Sequence, residues 1–266
     1  MSEQELKIAT WNLDRPKQSP TAKNKKKNES IIQTLRELDA DILVLTETNS
    51  CIDLYDKYQT CFSTTCLFES LAIGREPYEQ GENRVTIWSK FPGQRRIDMC
   101  NSHSSICALL NCNDWGELHV YGTVIGIYGK NRLYEPRVVP KTDFETAVEI
   151  QLIDWERLER LGNICIAGDF NLSIGNDVYV NVKAPQRSRV LDCFRELNIT
   201  VPTKFEPENI DHIAKSMDNN VDHMAMSDSF LRNVDHEITT WNGGKKKDLN
   251  VSDHMGVCLT LRRPTQ

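Results

Sequence analysis

Apolar residues in this chain fall in short runs separated by polar and turn-forming stretches, and the spacing inside each run predicts its secondary structure. Leu6 to Leu13 (LKIATWNL) reads as a strand, and the polar stretch behind it, with Pro16, Pro20 and several lysines, reads as a loop. Asn28 is placed to cap a helix in which Ile31, Ile32, Leu35 and Leu38 share one face. Ile42 to Leu45 follows at once as a short strand. Between Arg84 and Val124 come three strand-like runs, RVTIWS, SSICALLNC and ELHVYGTV, split by turn-rich segments as antiparallel neighbours are. A long helix is predicted from Asp143 to Leu161, with Ala147, Ile150, Ile153 and Leu158 on its buried side and Gly162 ending it. The buried strand Asn163 to Ala167 comes next. A second amphipathic helix, Ser188 to Leu197, and strands at Val221 to Met226, Glu237 to Trp241 and Met255 to Leu261 complete the pattern.

The opening strand, helix and strand do not continue as a regular βα alternation. The expectation is therefore an α+β fold: a four-layer α/β/β/α sandwich of two mixed, mostly antiparallel sheets packed face to face and flanked by helices. With no linker, repeat or low-complexity segment, residues 1–266 read as a single domain.

Composition narrows the function classes. At 39% hydrophobic and 26% charged residues the chain lies well inside the globular range. The start, MSEQELKIATWN, has no apolar run of leader length, and no stretch approaches the roughly 20 apolar residues of a membrane span, so the expectation is a soluble, cytoplasmic monomer with no membrane partner. The nine cysteines are odd in number, and Cys107, Cys165 and Cys258 sit in apolar runs as small hydrophobes. They read as reduced thiols, and without a C-x-x-C pair or zinc-ligand spacing a structural zinc is not expected. A net charge of −6 argues against binding nucleic acid by overall charge. It leaves two local basic clusters, Lys23 with Lys25, Lys26 and Lys27, and Lys245 with Lys246 and Lys247.

Five polar groups stand at the ends of apolar strands: Thr10-Trp11-Asn12-Leu13-Asp14, Thr46-Glu47-Thr48, Gly168-Asp169-Phe170-Asn171, Asn220-Val221-Asp222-His223 and Ser252-Asp253-His254. Each has an ordinary reading as a turn or a solvated strand end. Asp169 and Asn171, two residues apart, point to the same side in extended geometry. In their order and positions the five groups resemble the endonuclease/exonuclease/phosphatase superfamily, which includes pancreatic deoxyribonuclease, abasic-site endonucleases, neutral sphingomyelinases and inositol polyphosphate phosphatases. The resemblance runs from Ile8 to Leu261.

The resemblance implies Mg²⁺-dependent hydrolysis of phosphodiesters, with Mn²⁺ as a possible substitute. It makes Glu47 a metal ligand, with Asp253 completing the metal site and Asp14 holding a metal-bound water. Asp169 would orient or deprotonate the attacking water, Asn171 would hydrogen-bond the scissile phosphate, and Asn12 would contact the metal-site carboxylates or the phosphate. Asp222 would hold His254 in one tautomer while His254 donates to a phosphate oxygen. The chain carries two Asp-His dipeptides, at Asp211 and at Asp222. Asp222 is preferred because it opens the alternating run VDHMAMS ahead of the Trp241 strand, and Asp211 remains the alternative. The chain departs from the family after Thr123, where many members carry a phosphate-binding histidine; Tyr128 is the candidate substitute donor. Arg187 and Arg189 are candidates to grip a neighbouring phosphate, though both also fit a solvated helix start. Lys26 and Lys246 represent the two clusters expected to border the cleft. A DNA-directed nuclease or repair phosphodiesterase is favoured. The alternatives are a phosphatase or phosphodiesterase for a small-molecule, phosphoinositide or lipid phosphate, and a silent binding module on the same fold.

Overall fold

The computed structural model describes residues 3–19, 21–64, 79–125, 144–174, 184–204, 220–241 and 251–264. Strand β1 (Glu3–Asn12) leads through helix α1 (Ala22–Leu38) to β2 (Ile42–Asn49). Then come β3 (Thr60–Ser63), β4 (Glu82–Ser89), β5 (Gly93–Ile97), β6 (Ser105–Asn111) and β7 (Glu117–Val124). Helix α2 (Phe144–Leu161), β8 (Ile164–Asp169), helix α3 (Ala184–Glu196) and β9 (Ile199–Thr200) follow, and β10 (Asp222–Ser227), β11 (Asp235–Trp241) and β12 (Gly256–Pro264) end the described chain.

The strands form two six-stranded sheets, ordered β11-β12-β1-β2-β4-β3 and β5-β6-β7-β8-β10-β9. Each sheet holds a parallel pair, β1 with β2 and β7 with β8, and the other pairings are antiparallel. Parallel neighbours need a crossover, and α1 and α2 lie in the two that occur here.

Strand alternation builds the layers, because successive side chains point to opposite faces. Ile8, Val44 and Ile87 of the first sheet meet Ala108, Val120, Ala167 and Met224 of the second in a shared interior. Ala9, Trp11, Leu43 and Leu45 face away from it, onto Ile31 and Leu35 of α1. Tyr121, Ile164 and Ile166 do the same against Val148, Trp155 and Leu158 of α2 and Phe194 of α3. The sheets approach closely at Gly122, where a Cβ would lie 2.6 Å from Val85 Cγ1 and 3.0 Å from Val44 Cγ1. The expected four-layer sandwich is thus the one observed.

Several element boundaries differ from the sequence reading. Helix α1 begins at Ala22, with the Thr21 hydroxyl accepting the Asn24 N–H at 3.3 Å, and Asn28 lies inside it, donating from Nδ2 to Lys17 O. The lysine-rich first turns carry no apolar stripe, so periodicity missed them, although lysine is a good helix former. Strand β2 runs on to Asn49, which places Glu47 within the strand. Helix α3 starts four residues early, at Ala184, with Pro185 in its first turn, where a missing N–H is harmless. In α2 the apolar face is rotated: Ile153 is 59% exposed, while Val148, Leu152 and Trp155 are buried. Strands β3 and β5 were not expected. They are short and half-exposed, without an apolar pattern. No described helix is long and apolar enough to cross a membrane.

Behind β8, His223 is fully enclosed, 5.8 Å from the Phe170 ring and with Nδ1 3.4 Å from Thr203 Oγ1. Burial, which disfavours the imidazolium, pushes its pKa down to about 4. The folded state therefore binds fewer protons at this site than the unfolded chain between about pH 6.5 and pH 4. The stabilisation is complete above that window and is lost as pH falls through it. Urea unfolding of wild type and His223→Gln from pH 8 to pH 4 should show the wild type losing about 3 kcal/mol relative to the variant across the window. Parallel stability curves would refute this.

Candidate active site

In open α/β arrangements, sites form beyond the carboxyl ends of parallel strands. Here the ends of both parallel pairs meet at one edge of the sandwich. Strand β1 ends at Asn12, β2 carries Glu47 near its end, and β8 ends at Asp169. Strand β10 runs antiparallel to β8 and begins at this edge, with Asp222 opposite Asp169. The segment ahead of β12 adds Ser252, Asp253 and His254. Asn12 Nδ2 donates to Asp169 Oδ2 at 3.2 Å and so joins the two sheets at the site.

The backbone at Asp169 is prepared by Gly168, whose φ is +138° and whose added Cβ would fall 2.0 Å from Thr123 O. No side chain fits there. Asp169 Oδ1 then accepts the Asn171 N–H at 2.9 Å, and Asn171, at φ 55°, donates from Nδ2 to Ile125 O at 2.9 Å. The ordinary turn anticipated for this motif is present, and it is the device that fixes both side chains.

His254 is held from three directions. Its Nδ1 lies 2.7 Å from Asp222 Oδ2, its N–H donates to Ser252 Oγ at 3.0 Å, and its carbonyl accepts Trp11 Nε1–H at 3.2 Å. Ser252 Oγ in turn donates to Asn12 O at 2.6 Å. Burial alone would lower the pKa of His254, but Asp222, then Asp169 and Asp253, outweigh it and raise it to about 10. Asp169 is pushed up to about 7, by burial first and by the Asp222 charge second. The 2.7 Å contact aligns His254 Nδ1 with the Asp222 carboxylate, and the carboxylates around the ring favour its protonated form.

Glu47 has an unusual backbone. Its φ is 44°, and the β2–β4 register pairs Thr46 with Val85 and Thr48 with Asn83 on either side of it. The Glu47 carbonyl instead accepts the Arg15 N–H at 2.9 Å. A non-glycine residue held there costs about 1–3 kcal/mol, which the surrounding strands must offset. Burial raises the pKa of its carboxyl, opposed first by the Arg84 charge and then by His254 and Arg15. Among the described residues no hydrogen bond or ion pair reaches that carboxylate.

These features suit a hard divalent cation. Among the described residues, Glu47 offers a part-buried carboxylate that no hydrogen bond or ion pair occupies, and Asp222 Oδ1 is a buried oxygen with no hydrogen bond. Ligand atoms of Asp169, Asp222 and His254 also lie within 4.8 Å of one another. His254 Nδ1 is spent on Asp222, however, so that triangle is first a hydrogen-bonded relay and Glu47 is the stronger anchor for an ion.

The other expected residues fall as follows. Asp253 is 74% exposed on its side chain, 3.9 Å from His254 Nε2. Asp14 pairs with Lys27 Nζ at 3.0 Å. Arg189 binds Glu149 of α2 at 2.6 and 2.9 Å, tying α3 to α2, and Arg187 lies half-buried on α3. Lys26 is exposed on α1. Tyr128, Lys246 and the alternative Asp211 lie outside the described residues; Asp222 is the aspartate found against His254. Two residues escaped the sequence reading. Ser252 was visible in the Ser-Asp-His motif but given no role, and Arg84, 6% exposed, was signalled only by a charge opening an apolar strand.

A family model described as "Endonuclease/Exonuclease/phosphatase family" matches residues 9–254. No curated protein sequence matches the chain. Among solved structures, the AP endonuclease LMAP from Leishmania major is similar at TM-score 0.65 and 14% identity, over 98% of this chain and 88% of that one. The endonuclease domain of TRAS1, a telomere-specific non-LTR retrotransposon, gives 0.58 at 14% identity over 97% and 98% of the two chains. Humanized D. rerio TDP2 gives 0.60 at 12% over 97% and 98%. At such identities the likeness shows the fold.

In metal-free protein, the His254 ring observed by NMR should titrate near pH 10. Replacement Asp222→Asn removes the main charge holding the proton and should lower the midpoint by at least about one unit. An unchanged midpoint would show that Asp222 does not control this imidazole.

Proposed function

Because this chain belongs to the endonuclease/exonuclease/phosphatase family, we propose that it is a Mg²⁺-dependent phosphodiesterase directed at DNA, with Mn²⁺ as a substitute ion and residues 1–266 as one catalytic domain. The observation that carries this reading is the linked set at the cleft: Asp222 on His254 at 2.7 Å, and Asp169 fixed between Asn12 and the Asn171 N–H.

In this reading Asp169 positions the attacking water and accepts its proton, with a pKa near 7 that suits a general base at neutral pH. Asn171 presents its second amide hydrogen to the phosphate, the first being fixed on Ile125 O. With Nδ1 engaged by Asp222, the imidazolium turns Nε2–H toward a phosphate oxygen, where negative charge grows in the transition state. Glu47, and Asp253 beside His254, would hold the divalent cation, which when bound polarises the phosphate and stabilises the departing oxygen. DNA is supported by the exposed lysines on the first turns of α1, at the edge where β1 ends, and by the likeness to structures of an AP endonuclease and a retrotransposon endonuclease. The net charge of −6, with Lys27 and Arg189 engaged by the protein's own carboxylates, favours a second reading, hydrolysis of a small phosphate ester. The complete relay speaks against a silent binding module.

Purified protein should be offered intact and abasic duplex DNA, single-stranded DNA, RNA and inositol phosphates in Mg²⁺, with EDTA and Asp169→Asn as controls. DNA cleavage is expected, abolished by EDTA and reduced about 10²–10⁴-fold in a folded Asp169→Asn variant, the usual worth of a general base. Turnover of inositol phosphates alone would select the second reading, and no hydrolysis by folded protein would refute both.

A further inference from the structure

Strands β1 and β11 flank β12 on its two sides and share no ladder of their own. Neighbouring strands lie about 4.8 Å apart, so side chains on β1 and β11 start from backbones separated by about twice that distance. Trp11 and Trp241 nevertheless meet edge to face, with ring centroids 5.7 Å apart and planes at 75°. Gly256 of β12 permits this. It is the ladder partner of Trp241, and a Cβ added to it would fall 2.1 Å from Trp241 Cε2 and 2.2 Å from Cζ2. Gly256 is not among the glycines of positive φ, so space, and not backbone conformation, is what the position demands. The Trp241 ring lies across the strand where any side chain would stand, and so reaches Trp11 on the far side.

The two indoles end differently. Trp11 is 1% exposed, and its Nε1–H donates to the His254 carbonyl at 3.2 Å. Trp241 Nε1 is enclosed with no hydrogen bond among the described residues. Trp241 therefore contributes its ring, whereas Trp11 contributes a ring and a directed donor. His254 stands two residues before Gly256, directly ahead of β12. Its own N–H donates to Ser252 Oγ at 3.0 Å, and Ser252 Oγ donates to Asn12 O at 2.6 Å. Both main-chain polar groups of His254 are thus tied to β1, one at Trp11 and the other, through Ser252, at Asn12. The ring can then turn about its side-chain bonds alone, toward Asp222 Oδ2 of the other sheet at 2.7 Å.

We propose that Trp11 is a positioning residue for His254: Trp241, laid over Gly256, fixes the Trp11 indole, and the indole N–H fixes where the imidazole stands between Asp222 and the bound phosphate. The inference rests on the proposed role of His254 as donor to a phosphate oxygen. Misplacing a reacting group by about 1 Å costs about 10²-fold in rate, so a contact to the backbone of His254 reaches the chemistry without touching it. Without the indole N–H, the His254 main chain is held at its N–H alone.

NMR and kinetics on the full chain test this in wild type, Trp11→Phe, Trp241→Phe and Trp241→Leu, each checked for fold by circular dichroism. Wild type should show a slowly exchanging Trp11 indole N–H and a downfield His254 Nδ1 proton, assigned by its loss in Asp222→Asn. Trp11→Phe keeps a ring and removes the N–H. It should lose the Nδ1 signal and cut kcat on a short DNA duplex in Mg²⁺ by about 10–100-fold, with KM within about twofold. Trp241→Phe, which also removes an N–H, should keep the Nδ1 signal. Trp241→Leu, which removes the ring, should speed exchange of the Trp11 N–H and weaken the Nδ1 signal. A folded Trp11→Phe with the wild-type Nδ1 signal, or a freely exchanging Trp11 N–H in the wild type, would overturn the proposal; the second measurement decides if Trp11→Phe does not fold. If Trp11→Phe loses the Nδ1 signal but turns over as the wild type does, Trp11 positions the ring and the phosphate-donor role of His254 fails.

Discussion

Two carboxylates buried side by side cannot both stay ionised unless a cation stands between them and the low-dielectric interior. Asp169 and Asp222 face one another across the β8–β10 ladder, both enclosed, and His254 supplies that charge from 2.7 Å away. Most of the local structure at this edge keeps that arrangement in place. Trp11 and Ser252 hold the His254 backbone, and Ser252 and Asn12 connect it to β1 and to Asp169. Asp169 rises toward neutrality through burial first and the charge of Asp222 second, and the two carboxylates favour the protonated ring of His254. Neighbouring groups in the same small volume are thereby shifted toward a neutral carboxyl and a charged imidazole.

Holding these groups costs backbone strain at this edge. Glu47, Asn171, Asp14 and Arg15 occupy positive φ, and Gly168 stands where a side chain would enter the Thr123 carbonyl. None of these conformations is favoured locally. The sandwich supplies the compensation, with its interior between the sheets and the two helix-covered faces that clamp the strands from which the strained residues project. A rigid scaffold and a strained rim belong together, since conformations of this kind persist only where the surrounding structure holds them.

The same edge shows how geometry distributes charge. Acidic groups outnumber basic ones across the chain, yet Arg84, Arg15 and Lys27 are gathered around Glu47, Glu82 and Asp14. On α3, Arg189 is turned instead toward Glu149 of α2 and serves packing between the helices. Position on an element, and not charge in the sequence, separates the cations that meet carboxylates at this edge from those that do not.

The sequence by itself determined the layers and the inventory of the site. The continuous apolar runs of β2 and β8 already say that these strands are buried on both faces, and the spacing of Asp169 and Asn171 already puts the two side chains on one side. These are local periodicities, readable a few residues at a time. Tertiary structure alone decided which face of α2 is buried, so that Trp155 enters the core and Ile153 stays outside. It also put Asp222 on His254, joined Asn12 to a residue 157 positions away, and took Lys27 out of a run of equivalent lysines to meet Asp14. The physical reason is that such contacts depend on which strands become neighbours and on the rotation of each helix against its sheet. Both are settled by packing the whole chain at once, so no single stretch of sequence contains them.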